Sequence, residues 1–178
     1  MSHTLQARLA HWQVQEAQIR QRLMPVGVAR PEQVAPLTGM QIFEAMMAGE
    51  LPGPPMADTL GFLMVEAEPG RVVLQGRPAF KYYNPMGTIH GGWFAALLDT
   101  AVACAVHTTL PAGVGYTTAE LKLNIVRPLT DKVPLVRAEG KLIYAGRRLA
   151  TAEGRIFDAA DKLYAHATTT CFIFDGPA

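Results

Sequence analysis

Between Tyr83 and Thr109 the chain reads YNPMGTIHGGWFAALLDTAVACAVHTT, a long apolar segment that opens on Gly91-Gly92 and carries one carboxylate, Asp99, in its middle. Burying an unpartnered charge there costs several kcal/mol, so Asp99 needs a hydrogen-bonded partner or a chemical task. A carboxylate so placed can take a proton from water or attack a carbonyl itself. The glycines supply the complementary half of carbonyl chemistry. At a helix N-terminus the first N–H groups lack intrahelical partners and the dipole end is positive. Without Cβ atoms the backbone can approach a carbonyl oxygen closely and stabilise the charge that develops on it. The plainer alternative is that both glycines only let the helix pack tightly on a sheet.

Other residues could complete such a site. Eight residues at ~1.5 Å rise separate Gly91 from Asp99 by ~12 Å along the helix axis, too far for one chain's pair to grip one carbonyl. An isologous dimer would bring Asp99 of one protomer opposite Gly91 of the other. A hydroxyl from Thr117 or Thr118, at the start of the next strand, could orient the carboxylate or a water; either is equally a plain strand threonine. Asn84 can donate from its amide, or serve as the turn residue of Asn84-Pro85. Arg147 and Arg148 follow Gly146 in a tight turn and suit phosphate geometry, or form a solvated hairpin tip. Tyr83, Met86 and Trp93, with Phe62, Tyr82 and Ile89, could line an apolar pocket, although each type is more often core. His3, His11, His107 and His166 share no ligand spacing, and no metal is expected.

The elements that must position these residues follow from punctuation and period. Residues 4–24 carry apolar positions at helical spacing until Pro25, and a short helix is expected over Gly39 to Ala48, followed by LPGPPM as a loop. Residues 1–55 thus read as an N-terminal helical extension and 56–178 as the main domain. From Asp58 to Glu66 and Arg71 to Arg77 the pattern predicts a hairpin around Glu68-Pro69-Gly70. The helix runs from Gly91 to about Leu110. Strands are expected over Tyr116 to Val126, Pro134 to Tyr144, Arg148 to Asp158 and Leu163 to Phe174. Their short separators, LTDK, AGR and AADK, suit an antiparallel meander. A helix apolar nearly all round must be covered on most sides, and a curved sheet wrapped round it does this. The fold class is α+β.

Composition narrows the function. With 16 Lys and Arg against 15 Asp and Glu, the net charge of +1 lacks the basic field that non-specific nucleic-acid binding needs. Asp99 interrupts the longest apolar run short of a membrane span, and the charged amphipathic N-terminus does not read as a secretory signal. The two cysteines, Cys104 and Cys171, have no ligand or disulfide spacing, which points to a reducing cytoplasm.

The order of elements, with Asn84 six residues before His90-Gly91-Gly92, Asp99 nine residues after the histidine and a strand closing on Arg127-Pro128, resembles the hotdog-fold acyl-CoA thioesterases of the phenylacetate-degradation (PaaI-like) type. The likeness covers about residues 57–174 and leaves the extension unexplained. It implies hydrolysis of an aryl, arylacetyl or medium-chain acyl-CoA, with Asp99 as general base or nucleophile and the Gly91 N–H polarising the carbonyl. It also implies a donor role for Asn84, a catalytic or merely structural His90, contacts from Gly92, and CoA phosphates bound near Arg147 and Arg148. Matched to the family's Ser/Thr, counting back from Pro128 favours Thr118 and counting forward from Asp99 favours Thr117. The family also implies dimers or dimers of dimers with shared sites, and no cofactor beyond the CoA in the substrate.

Two other readings stand beside this one. A hotdog dehydratase or hydratase acting on a 3-hydroxyacyl thioester would pair a histidine, here His90, with an acid. A non-catalytic acyl-CoA binding or sensing module would tolerate loss of Asp99.

Overall fold

Six antiparallel strands form one sheet in the order β1-β2-β4-β5-β6-β3 around a single long helix, α5. A computed structural model describes residues 3–176; residues 1, 2, 177 and 178, at the outer ends of the two expected units, lie outside the described residues, as does the side chain of His3. The strands are β1 (Phe62–Glu68), β2 (Arg71–Gly76), β3 (Val114–Ile125), β4 (Val136–Ala145), β5 (Leu149–Asp158) and β6 (Leu163–Asp175). The helices are α1 (His3–Arg20), α2 (Pro31–Val34), α3 (Gly39–Ala48), α4 (Pro55–Leu60) and α5 (Gly91–His107). This is the hotdog arrangement, with N-terminal helices added.

α5 contacts all six strands, so the sheet curves round it. Phe94, Leu97, Leu98, Ala101 and Val102 are fully enclosed, and each large side chain among them contributes roughly 1.5–3 kcal/mol by leaving water. The close seat depends on two glycines. Gly140 and Gly154 face each other across β4 and β5. A Cβ on Gly140 would lie 2.1 Å from the Ala101 carbonyl oxygen, and one on Gly154 2.6 Å from Val102 Cγ1. Side chains at this pair would lift the helix off the sheet.

α1 covers the opposite face of the sheet. Along β2, Val72 and Leu74 pack with α5, while Val73 packs with Ile19 and Gln75 binds Glu16 and the Trp12 carbonyl. β2 is therefore buried on both faces, from Val72 to Gly76. The buried Arg137 joins the layers: it donates to Gln75, Glu66 and Gln15, and its guanidinium lies 4.3 Å over the Trp12 ring. Gln15 also donates to the Val65 carbonyl of edge strand β1. α3, capped by Thr38 and ended by Gly49 in the left-handed region, brings Phe43 edge-on against His107 at the end of α5.

The structure corrects several expectations. The strand expected from Asp58 begins at Phe62, because Pro55 starts α4 and Gly61, at φ 70°, ends it. α4 thus straddles the boundary expected at residue 55. The helix expected over 4–24 ends at Arg20, and α5 ends at His107 rather than near Leu110. β3 and β4 are not neighbours: β3 pairs with β6 at the far edge. The LTDK stretch lies in a connection that buries Leu129 in the core and accepts the Ile89 N–H at the Leu129 carbonyl, 2.9 Å away. Brevity alone made it resemble a hairpin turn.

Candidate active site

α5 carries the half-buried Asp99 midway along its length, on the strip that the sheet leaves partly open. The Thr118 hydroxyl donates to Asp99 Oδ1 at 3.0 Å. Thr117 points the other way, exposed on the outer face beside Phe172, its partner in β6. A β-bulge between Thr118 and Glu120 breaks the ladder just past the threonine, the kind of irregularity that re-aims side chains next to active sites. Residue counting could not locate that bulge, which is why it left the two threonines open.

Around this pair lie groups that the sequence did not flag. The Cys171 thiol sits against the Thr169 and Thr118 hydroxyls; burial, with the Asp99 charge adding, raises its pKa. Burial pushes the Cys104 thiol up to about 12 despite its hydrogen bond with Tyr116. Both thiols are free and protonated at neutral pH, so neither is a ready nucleophile. Cys171 became visible as a neighbour only through the register that pairs it with Thr118.

The N-terminus of α5 is built by His90. As N-cap its Nδ1 accepts the Gly92 N–H at 2.9 Å, while the Trp93 N–H donates to the His90 carbonyl at 3.0 Å. That bond fixes Nδ1 as an acceptor, so the neutral ring carries its proton on Nε2. Gly92 has its N–H committed to the cap. The Gly91 N–H has no acceptor among the described residues. A Cβ on Gly91 would stand 3.3 Å from Ile125 Cδ1, so the glycine keeps the approach to that N–H narrow but open.

Asn84 organises the loop ahead of the helix. Its Oδ1 accepts from the Met86 and Thr88 N–H groups, and its Nδ2 donates to Thr88 Oγ1 at 3.0 Å. One amide N–H remains uncommitted. Met86 projects from the loop tip, 85% exposed. The Tyr83 hydroxyl donates to Asp131 Oδ1 at 2.7 Å. Trp93 is a core residue, 3% exposed, with its indole N–H donated to the Leu60 carbonyl. Arg147 and Arg148 are exposed in the β4–β5 turn. Leu149, Phe172 and Thr117 align across β5, β6 and β3, so that turn lies level with Thr117, about 10 Å away across two strand spacings.

The structure therefore brings Asp99 and Thr118 into contact, groups Asn84, His90, Gly91 and Gly92 at the head of the same helix, and leaves Thr117, Met86 and Trp93 away from the Asp99 carboxylate. Among the described residues no group of three or more His, Cys, Asp or Glu is arranged to hold a metal ion. No helix among them is long and apolar enough to cross a membrane.

Known proteins share this fold. Residues 86–165, which include Gly91, Asp99 and Thr118, match the thioesterase superfamily. A crystal structure of a phenylacetic acid degradation-related protein from Ralstonia eutropha JMP134 superposes with a TM-score of 0.67 at 32% identity, covering 73% of this chain and 98% of that one. A variant of the phenylacetic acid degradation protein PaaI from Thermus thermophilus gives a TM-score of 0.59 at 29% identity, over 66% of this chain and 97% of that one. The 1,4-dihydroxy-2-naphthoyl-CoA hydrolase of Listeria monocytogenes serotype 1/2a (strain 10403S) is 26% identical over 109 residues, 61% of this chain and 86% of that one. The chain belongs to the thioesterase superfamily, as a thioester hydrolase of the hotdog-fold, PaaI-like type.

Proposed function

We propose that this protein hydrolyses acyl-CoA to a free acid and CoA, with Asp99 as general base. The observation that carries the reading is the 3.0 Å bond from Thr118 to Asp99 Oδ1, on a helix whose first N–H, that of Gly91, is unclaimed. Thr118 holds one carboxylate oxygen and leaves the other for a water. Asp99 takes the water's proton as its oxygen attacks the thioester carbon. The charge on the carbonyl oxygen is met by the N–H of Gly91 of the partner subunit, aided by the helix dipole. Collapse expels the CoA thiolate, which recovers the proton from Asp99.

Sharing between subunits is supported by the ~12 Å between Asp99 and Gly91 along one helix and by the sheet edges. Gln15 satisfies the Val65 carbonyl of edge strand β1, whereas the 12-residue edge strand β3 pairs with β6 alone among the described strands. A strand of that length is stable in solution when paired or covered. A homodimer or dimer of dimers with facing α5 helices meets both requirements. The exposed Arg147 and Arg148 take the CoA phosphates in this reading, and Asn84 has one N–H to offer the carbonyl or the water. The free, buried cysteines accord with a reducing cytoplasm. His90 is committed to capping through Nδ1, which favours hydrolysis over a dehydratase that would recruit it.

The test is hydrolysis of phenylacetyl-, benzoyl- and straight-chain acyl-CoA substrates by wild type and Asp99→Asn, followed by thiol release. A loss of ~100-fold or more in a folded variant supports the assignment. Turnover that survives the substitution, or wild-type protein that binds acyl-CoA without cleaving it, contradicts it.

A further inference from the structure

Strand β3 changes the phase of its side chains partway along. Tyr116 and Thr118 face α5, where they meet His107 and Asp99. Leu121 and Leu123 also pack into the core around α5, although unbroken alternation from Thr118 would turn them outward. The extra residue is Ala119: Thr118 pairs with Cys171 and Glu120 with Thr170, which leaves Ala119 opposite no residue of β6. Carried back without the bulge, the phase of Leu121 and Leu123 would turn Thr117 toward α5 and Thr118 away from it. The bulge therefore selects the threonine that reaches Asp99.

A residue on the neighbouring strand holds that bulge. Thr169 of β6 sits opposite Leu121, two residues from Cys171 on the same inward face, and is 2% exposed. Its hydroxyl donates to the Glu120 carbonyl at 2.7 Å, and Glu120 is the first paired residue past Ala119. An inward strand position in an apolar layer is an ordinary place for valine, which has the shape of threonine without the hydroxyl. Packing alone gives the hydroxyl no task; the carbonyl at the bulge does. The Thr118 proton goes to Asp99 and the Thr169 proton to Glu120, so each hydroxyl has one fixed direction.

We infer that Thr169 is a positioning residue for the hydrolysis: through the Glu120 carbonyl it fixes the bulge, the bulge turns Thr118 inward, and Thr118 holds the Asp99 carboxylate for the attacking water. This rests on the reading of Asp99 as general base and adds to it a residue that acts only through Thr118.

Thr169→Val removes the hydroxyl at nearly constant shape, Thr169→Ala removes it with less bulk, and Thr169→Ser keeps it. Each is made in wild type and in Thr118→Val and assayed for acyl-CoA hydrolysis, with folding checked by chemical denaturation. The expected result is a fall in kcat of about 5- to 30-fold for Thr169→Val and Thr169→Ala with KM within about twofold, and recovery to within about threefold in Thr169→Ser. In the Thr118→Val background the same substitutions should change kcat by less than about twofold, because the group they position is gone. A site that is merely destabilised loses the same factor in both backgrounds. That result, or a folded Thr169→Val with wild-type kcat, overturns the positioning role and leaves the hydrolase reading standing. If wild type cleaves no acyl-CoA, or Asp99→Asn cleaves it as fast as wild type, the hydrolase reading itself fails and the positioning role falls with it.

Discussion

The Thr118 hydroxyl reaches across 3.0 Å from edge strand β3 to Asp99 in the middle of α5, fixing one oxygen of the carboxylate. Thr118→Val removes that bond at nearly constant shape. We expect kcat to fall about 10- to 100-fold with little change in KM, whereas Thr117→Val, altering an outward-facing side chain, stays within twofold. Steady-state kinetics on both variants decides which threonine serves the acid.

His90 caps α5 through its Nδ1, 2.9 Å from the Gly92 nitrogen. His90→Ala should cost about 1 kcal/mol in chemical denaturation, and His90→Asn, another good capping residue, should recover most of it. Activity of His90→Asn within a few-fold of wild type is the expected result; collapse of kcat in that folded variant would give the ring a direct part in the reaction.

What the sequence made legible divides along a physical line. The α5 segment announced itself through an apolar surface nearly all round, an acid in its middle and a glycine pair at its head, because these are local properties. Thr118 could not be separated from Thr117 because a bulge one residue on, not spacing, sets which hydroxyl faces the helix. Trp93 read as a pocket residue by type, yet its partner is the Leu60 carbonyl, 33 residues earlier. The pairing of β3 with β6 was hidden because the LTDK stretch between β3 and β4 is as short as a hairpin turn, and only the structure shows Leu129 of that stretch buried in the core.

Gly140 and Gly154 let α5 lie directly on the sheet. Gly140→Ala would place a methyl 2.1 Å from the Ala101 carbonyl oxygen, a backbone clash no rotamer relieves. We expect a loss of at least ~3 kcal/mol, read as a lowered denaturation midpoint or as insoluble protein.

Arg137 holds α1 to the sheet through Gln75, Glu66, Gln15 and the Trp12 ring. Arg137→Ala leaves Gln75 and Glu66 without that partner and should destabilise by about 3–5 kcal/mol, with limited proteolysis cutting first within α1. Cleavage no faster than in wild type would show that the apolar contacts of Trp12 and Ile19 suffice.

His107 packs between Phe43, edge-on, and the tilted ring of Tyr116 at the end of α5, and burial lowers its pKa to about 4 from the usual 6.5. Below the unfolded value the unfolded chain binds a proton that the folded chain refuses. The stability is therefore complete above pH ~6.5 and is lost as pH falls toward ~4, by up to ~3 kcal/mol. Denaturant titrations across that range should show this loss in wild type and a flatter profile in His107→Gln.

The central claim, that Asp99 of one subunit works with Gly91 of the other, is tested by mixing two inactive proteins. Asp99→Asn removes the base; Gly91→Pro removes the N–H while leaving a residue well suited to the first helical position. Co-expressed, their heterodimer has one site with both intact groups and one with neither. The account predicts acyl-CoA hydrolysis by purified heterodimer at about half the wild-type rate, far above either parent. Activity no greater than that of the two parents together would contradict it.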